Sequence, residues 1–184
     1  MADKEYLSRI ADDELALRLE AFGAVQIKGP KWCGKTTTAE QQAKSFIKLQ
    51  DPDKREGYLA TARTKPSILL KGEIPRLIDE WQDIPILWDA VRNAVDQRGL
   101  KGQFILTGST VIKNNGDEDT PEEQRQMHTG TGRIATMTMY PMSLYESKES
   151  SGEISFLELF DNRSLDIDGI TSKLSIEELI MLAC

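Results

Sequence analysis

Apolar residues recur at helical spacing in three stretches of the chain. A period near 3.6 over residues 5–22 predicts a helical segment at the N-terminus. Residues 36–49 show the same spacing, and residues 86–98 carry adjacent apolar pairs every four residues before Gly99, a residue type that favours helix ends. The apolar positions that define the middle helix are Ala39, Ala43, Phe46 and Ile47.

Short apolar runs between these helices predict strands. They cover residues 24–28, 75–78, 103–107 and 134–139, whereas residues 57–72 fit either a helix or a strand. Strands that alternate with helices of this length indicate a mostly parallel sheet covered by helices on both faces. The pattern therefore predicts an α/β fold.

The remaining segments set the expected organisation. Residues 113–128 are acidic and are predicted to form a long mobile loop, and Pro141–Glu146 is predicted to start a short helix. Residues 174–184 form an amphipathic pattern that stops without a glycine cap or polar tail, so we expect the chain to be part of a longer protein. The expected division is a helical segment at 1–22, a core at 23–145, and a helical segment at 146–184 that leads to a further C-terminal domain.

Composition narrows the class of protein. The chain has 184 residues, 39% hydrophobic and 29% charged, with two cysteines and a net charge of −7. No apolar run approaches the ~20 residues of a membrane span, and the polar start predicts no secretory signal. Two cysteines do not suggest a disulfide framework, so a cytoplasmic location is expected. The negative charge argues against a broad nucleic-acid surface and leaves self-association open.

Residues 29–36 fill every position of the pattern G-x-x-x-x-G-K-[ST], between a predicted strand and a predicted helix. Backbone N–H groups of such a loop, with the positive end of the next helix, bind phosphate oxygens. Lys35 would reach the β- and γ-phosphates, and Thr36 would contact Mg²⁺. The alternative is a glycine turn with an exposed lysine. The candidate nucleotide-binding residues here are Gly29, Pro30, Lys31, Trp32, Cys33, Gly34, Lys35, Thr36 and Thr37.

Two carboxylates, Asp79 and Glu80, follow the strand predicted at residues 75–78 and have the form of a Walker B motif. Ligands in open α/β sheets bind at the carboxyl ends of strands. Asp79 would therefore hold Mg²⁺ beside Thr36, and Glu80 would orient or deprotonate the attacking water. An isolated acidic pair also suits a loop or a helix cap. Downstream of a complete phosphate-loop pattern, Asp79 and Glu80 favour ATP hydrolysis, because nucleotide kinases and GTPases usually lack the adjacent glutamate.

Further polar residues are candidates for the same site. Thr107 and Ser109 end a predicted strand, where one of them would contact the γ-phosphate or its water, although Gly108 also suits a plain strand-end turn. Arg133 follows a Gly-x-Gly segment and is a candidate for the arginine that stabilises transition-state charge, in its own chain or in a neighbour. The alternative for Arg133 is a solvated residue ahead of a strand.

The aromatic, histidine and cysteine residues give less information about the functional site. Trp32 and Trp81 lie beside the candidate loops, where stacking on a base or a partner is open and packing is favoured. His128, the only histidine, is expected to be exposed, and Cys33 is expected to be a small loop side chain.

The ordered set of segments resembles prokaryotic AAA-type ATPases that carry a C-terminal domain of unknown function. The segments are Gly29–Thr36, Pro75–Gln82, Phe104–Ser109, and Gly132-Arg133 followed by Pro141-Met142-Ser143. The resemblance implies an ASCE-type P-loop NTPase sheet in which the Thr107 strand lies between the phosphate-loop strand and the Asp79 strand. It also implies ATP and Mg²⁺ as cofactors, Gln82 near the γ-phosphate or coupled to Glu80, and an absent winged-helix-like and nuclease-like half.

Three functions remain at this point. The favoured one is an Mg²⁺-dependent ATPase that couples hydrolysis to a conformational switch. The second is an ATP-dependent binding module with little turnover of its own. A small-molecule kinase is disfavoured by Glu80 and by the lack of an arginine-rich lid.

Overall fold

Strands and helices alternate along the computed structural model, which describes residues 5–109, 130–152, 160, 175, 177, 178 and 181. The described residues contain five strands: β1 Ala24–Gly29, β2 Ser45–Lys48, β3 Arg76–Asp79, β4 Phe104–Ser109 and β5 Ile134–Thr138. They also contain four α-helices: α1 Ile10–Ala21, α2 Lys35–Gln42, α3 Arg55–Thr64 and α4 Ile86–Arg98. Short 3₁₀ helices lie at Pro66–Ile68 and Trp81–Asp83.

The five strands form one parallel sheet in the order β2-β3-β4-β1-β5. Strand β4 lies between β1 and β3, so Thr107 is paired with Ile27 on one side and with Asp79 on the other. This is the strand order that the resemblance implied, and the predicted α/β P-loop NTPase fold is confirmed.

Each face of the sheet buries its own set of side chains, because successive residues of a strand point to opposite faces. One face packs Phe104, Leu106 and Ile78 against α3 and α4. The other packs Ile105, Leu77 and Ile27 against α1 and α2. Helices therefore cover both faces, as the sequence predicted.

The helix predicted over residues 36–49 is wrong in its second half. Helix α2 ends at Gln42, and Ala43 already has an extended backbone with φ −76° and ψ 135°. Residues 45–48 instead pair with β3 as the edge strand β2. Ile47 is buried while Phe46 is 59% exposed, which is the alternation of a strand and not the shared face of a helix. Pairing with β3 is a long-range contact that outweighs the local helical spacing.

Most of the other predicted elements that the structure describes keep their type with shifted ends. Helix α1 begins at Ile10, and α3 makes the first part of the ambiguous segment helical, up to Thr64. Helix α4 ends at Arg98 and is followed by Gly99, which has a left-handed φ of 64°. Residues 144–148 form hydrogen-bonded turns where a short helix was predicted. The acidic segment 113–128, with His128, lies outside the described residues, as does most of 174–184.

Contacts divide the chain into two units, Ile10–Pro141 and a second unit of Met1–Arg9 with Met142–Cys184. Within the second unit, Arg9 and Glu146 form a buried ion pair with Nε and Oε1 2.9 Å apart. Among the described residues, the helices are too short or too polar to cross a membrane.

Arg76 is a buried cation at the start of β3, with 8% of its surface exposed. Its Nε donates to the Leu69 carbonyl at 2.9 Å, and its Nη1 donates to Ser45 Oγ at 2.9 Å. Burial lowers the pKa of the Arg76 guanidinium, but arginine stays charged in proteins because its ordinary value is so high. The side chain thus ties β3 to β2 and to the segment that precedes it.

Arg76→Met is expected to lower the free energy of unfolding by about 2–3 kcal/mol, because the Leu69 carbonyl loses a charged donor inside the protein. Urea unfolding followed by circular dichroism measures the change. Arg18→Met is the matched control, since Arg18 pairs with Glu14 on an exposed helix surface and should contribute less than about 1 kcal/mol. Equal effects of the two variants would contradict a bracing role for Arg76.

Candidate functional site

Residues 29–36, the candidate phosphate loop, join β1 to α2 through backbone conformations that glycine permits. Gly34 has φ 97° at the start of α2, in the left-handed region. At Gly29, an added Cβ would lie 2.2 Å from the Met139 carbonyl oxygen, so a side chain cannot be accommodated there. Both fixed glycines of the pattern therefore have a steric reason within this chain.

Lys35 lies at the first turn of α2 with only 5% of its surface exposed. Its Nζ donates to the Gly29 carbonyl at 3.0 Å and to the Pro30 carbonyl at 2.7 Å. An ammonium has three donors, and two of them hold the loop in its curled shape. The ammonium group is thereby fixed beside the loop carbonyls.

Asp79 connects the phosphate loop to the central strand. The hydroxyl groups of Thr36 and Thr107 both donate to Asp79 Oδ1, each at 2.6 Å. The two threonines come from α2 and β4, and Asp79 ends β3 between them in space. Three elements that are distant in sequence thus converge on one carboxylate oxygen, at the carboxyl edge of the sheet. Thr107 is fully buried and does not line the cavity at this edge.

Glu80 is held by donors from two elements. Ser109 donates its backbone N–H to Oε2 at 3.3 Å and its hydroxyl to Oε1 at 3.2 Å. Gln82 Nε2 donates a further short hydrogen bond to Oε2. Glu80 itself adopts a left-handed φ of 54°, which is uncommon for a non-glycine residue and is typical of functional sites. Gln82 Oε1 is buried and has no hydrogen-bond partner among the described residues.

Gly108, in β4, lies close to the side chains of Trp81 and Gln82. A Cβ at this position would lie 2.7 Å from Gln82 Oε1 and 3.2 Å from Trp81 Nε1. Trp81 is 3% exposed and packs on Trp88 with ring centroids 5.1 Å apart. The prediction that Trp81 packs in the core is confirmed.

A cavity of about 740 Å³ lies above these residues. Its lining includes the phosphate loop with the start of α2, and Glu80, Gln82 and Ser109 from the neighbouring strand ends. Trp32 lies at its edge and is 98% exposed, so the prediction that this tryptophan packs is wrong. Cys33, by contrast, is buried behind the loop.

Gln50 also lines the cavity and was not predicted. It follows β2, which the sequence pattern had assigned to a helix. Recognition of β2 as a strand would have pointed to Gln50, because residues after parallel strands gather at the same edge of a sheet.

Arg133 lies where the parallel strands begin, at the opposite end of β1 from the candidate phosphate loop. Its carbonyl accepts a hydrogen bond from the Ala24 N–H at the start of β1, whereas the phosphate loop follows the end of β1. Since a strand rises ~3.3 Å per residue, β1 separates the two places by roughly 17 Å. The Arg133 Nε donates to Asp96 Oδ1 at 2.6 Å. The structure therefore does not bring Arg133 to the site of its own chain, and the own-chain alternative is not supported.

The fold and these contacts define a nucleotide-binding α/β protein of the P-loop class. The model of the AAA domain family matches residues 21–148, more than two thirds of the chain, and the chain belongs to this family. It is thus an ATPase-like module of the AAA type, a family that generally binds ATP with Mg²⁺.

One solved structure is remotely similar to this chain. The structure of C. elegans PCH-2 is similar with a TM-score of 0.35 and 12% sequence identity, over 93% of this chain and 58% of that chain. The chain thus spans less than two thirds of the length of PCH-2. A comparison with curated proteins finds no match.

Proposed function

We propose that this chain is an Mg²⁺-dependent ATPase that couples hydrolysis to a conformational switch. The observation that carries the proposal is the shared contact of Thr36 and Thr107 with one oxygen of Asp79, directly beside the held carboxylate of Glu80. A phosphate-binding loop alone needs neither group. Phosphoryl transfer to water needs both a metal-holding carboxylate and a group that positions the water.

The residues beside the loop fit Mg²⁺, which prefers hydroxyl, carboxylate, water and phosphate oxygens. Thr36 Oγ1 and Asp79 are the ligands proposed, the second directly or through water. When bound, the ion would neutralise phosphate charge and polarise the transferred group. The described residues contain no group of three acidic, histidine or cysteine side chains that could hold a metal by themselves.

The remaining roles follow from position. Lys35 and the loop N–H groups hold the β- and γ-phosphates, and Thr37 extends the loop contacts at the start of α2. Glu80 orients the attacking water and takes its proton as the bond between the γ-phosphorus and the bridging oxygen breaks. Thr107, buried against Asp79, positions that carboxylate, while Ser109 and Gln82 position Glu80.

Arg133 is proposed to act only on a neighbouring molecule, if several chains assemble, because of its distance from its own loop.

A second candidate is an ATP-dependent binding module with little turnover. Lys35 is occupied by two loop carbonyls, and the Glu80 carboxylate accepts three hydrogen bonds. Turnover requires some of these bonds to change once ATP is bound. Such a site would bind ATP and would hydrolyse it only after contact with a partner or a further domain.

Lys35→Ala is expected to weaken Mg-ATP binding about 100-fold or more, because a charged donor to phosphate is lost. Isothermal titration measures binding, and phosphate release from Mg-ATP measures turnover. Lys101→Ala, an exposed lysine outside the cavity, should match the parent in both. Parental binding by Lys35→Ala would contradict the nucleotide site. Tight ATP binding by the parent without phosphate release would favour the second candidate.

A further inference from the structure

Trp32 occupies an unusual place for a large apolar side chain. It is 98% exposed and has a left-handed φ of 63° in the middle of the phosphate loop. This conformation is unfavourable for a residue with a Cβ, and exposure forgoes the gain that an indole obtains from burial. The conformation points the side chain away from the core and leaves it at the edge of the cavity.

The cavity has more room than phosphates require. Its volume of about 740 Å³ is typical of sites that take a whole small-molecule ligand. The curled loop and Lys35 supply the donors for anionic oxygens. Trp32 instead presents an uncharged indole at the rim, and its aromatic face offers no positive charge to a phosphate.

We propose that the Trp32 indole stacks on the nucleoside part of the bound nucleotide. The proposal rests on the nucleotide site proposed above and adds a subsite to it. Every base has a π-face, so stacking of this kind raises affinity with little regard to which base is present. Trp32 thus contributes to recognition of a nucleoside triphosphate over inorganic triphosphate, and not to selection among bases.

The test compares Mg-ATP with Mg-tripolyphosphate, which has the same chain of three phosphates without the nucleoside and one more ionisable oxygen. Trp32→Ala should lower affinity for ATP about tenfold and leave affinity for tripolyphosphate unchanged. Trp32→Phe should keep most of the ATP affinity. In the parent, ATP should quench tryptophan emission more than tripolyphosphate does, and this difference should be lost in Trp32→Ala, where the buried Trp81 and Trp88 remain. Phe46→Ala is the control for loss of an exposed aromatic ring outside the cavity.

Each other outcome overturns the proposal in a distinguishable way. Unchanged ATP affinity in Trp32→Ala, with binding by the parent intact, rejects nucleoside stacking and keeps the nucleotide site. An equal loss for both ligands means that Trp32 only shapes the loop. Failure of the parent to bind either ligand rejects the nucleotide site itself.

Discussion

Glu80→Gln is expected to bind Mg-ATP as tightly as the parent and to release phosphate about 100-fold or more slowly. The amide has nearly the same size, and the Ser109 hydroxyl accepts as well as donates, so the contacts around residue 80 can be kept. What is lost is the ability to take a proton from water, and general-base contributions are typically 10²–10⁴-fold. The variant should therefore accumulate with ATP bound.

Single-turnover phosphate release at saturating Mg-ATP, with binding measured in parallel, checks this expectation. Glu14→Gln is the control, because Glu14 pairs with Arg18 on an exposed face of α1 and should leave the rate unchanged. Release by Glu80→Gln at the parental rate would show that Glu80 does not activate the water.

Asp79→Asn is expected to raise the Mg²⁺ concentration needed for half-maximal phosphate release by at least about tenfold, and to slow release at saturation. The asparagine oxygen can still accept from Thr36 and Thr107, so the convergence of α2, β3 and β4 is preserved. Only the negative charge and one metal-binding oxygen are removed. The change therefore separates the metal-binding role of Asp79 from its structural role.

Phosphate release titrated with Mg²⁺ at fixed ATP measures this effect, and urea unfolding confirms that the fold is retained. Asp89→Asn serves as the control, since Asp89 pairs with Arg92 within α4, away from the cavity. An unchanged Mg²⁺ titration in Asp79→Asn would contradict the proposed ligand.

Local sequence patterns predicted most of the helices and strands, because the spacing of residues within each segment favours one type of structure. The phosphate loop has fixed spacing between a strand and a helix, and α4 has a long apolar face with a glycine at its end. The exception was β2. Ala43, Phe46 and Ile47 match helical spacing. The four residues of β2 are too few to distinguish a helical period from a strand period, so pairing with β3 decides the structure.

The site was predictable where sheet geometry alone places a residue. The ends of parallel strands meet at one edge, which brings Thr36, Asp79 and Glu80 together. The same rule also applies to Arg133: a residue before a parallel strand lies at the amino edge, away from the loop. Thr107 and Ser109 share a strand face, so only three-dimensional depth shows that the first is buried on Asp79 and the second reaches Glu80.

Gly108 links two positions that no sequence motif joins. A Cβ at Gly108 would lie 2.7 Å from Gln82 Oε1 and 3.2 Å from Trp81 Nε1, so a larger residue at 108 requires the Gln82 side chain to move. Positions 82 and 108 are therefore expected to vary together among related chains. A larger residue at 108 would displace the Gln82 amide and would thereby weaken the hydrogen bond that Gln82 donates to Glu80.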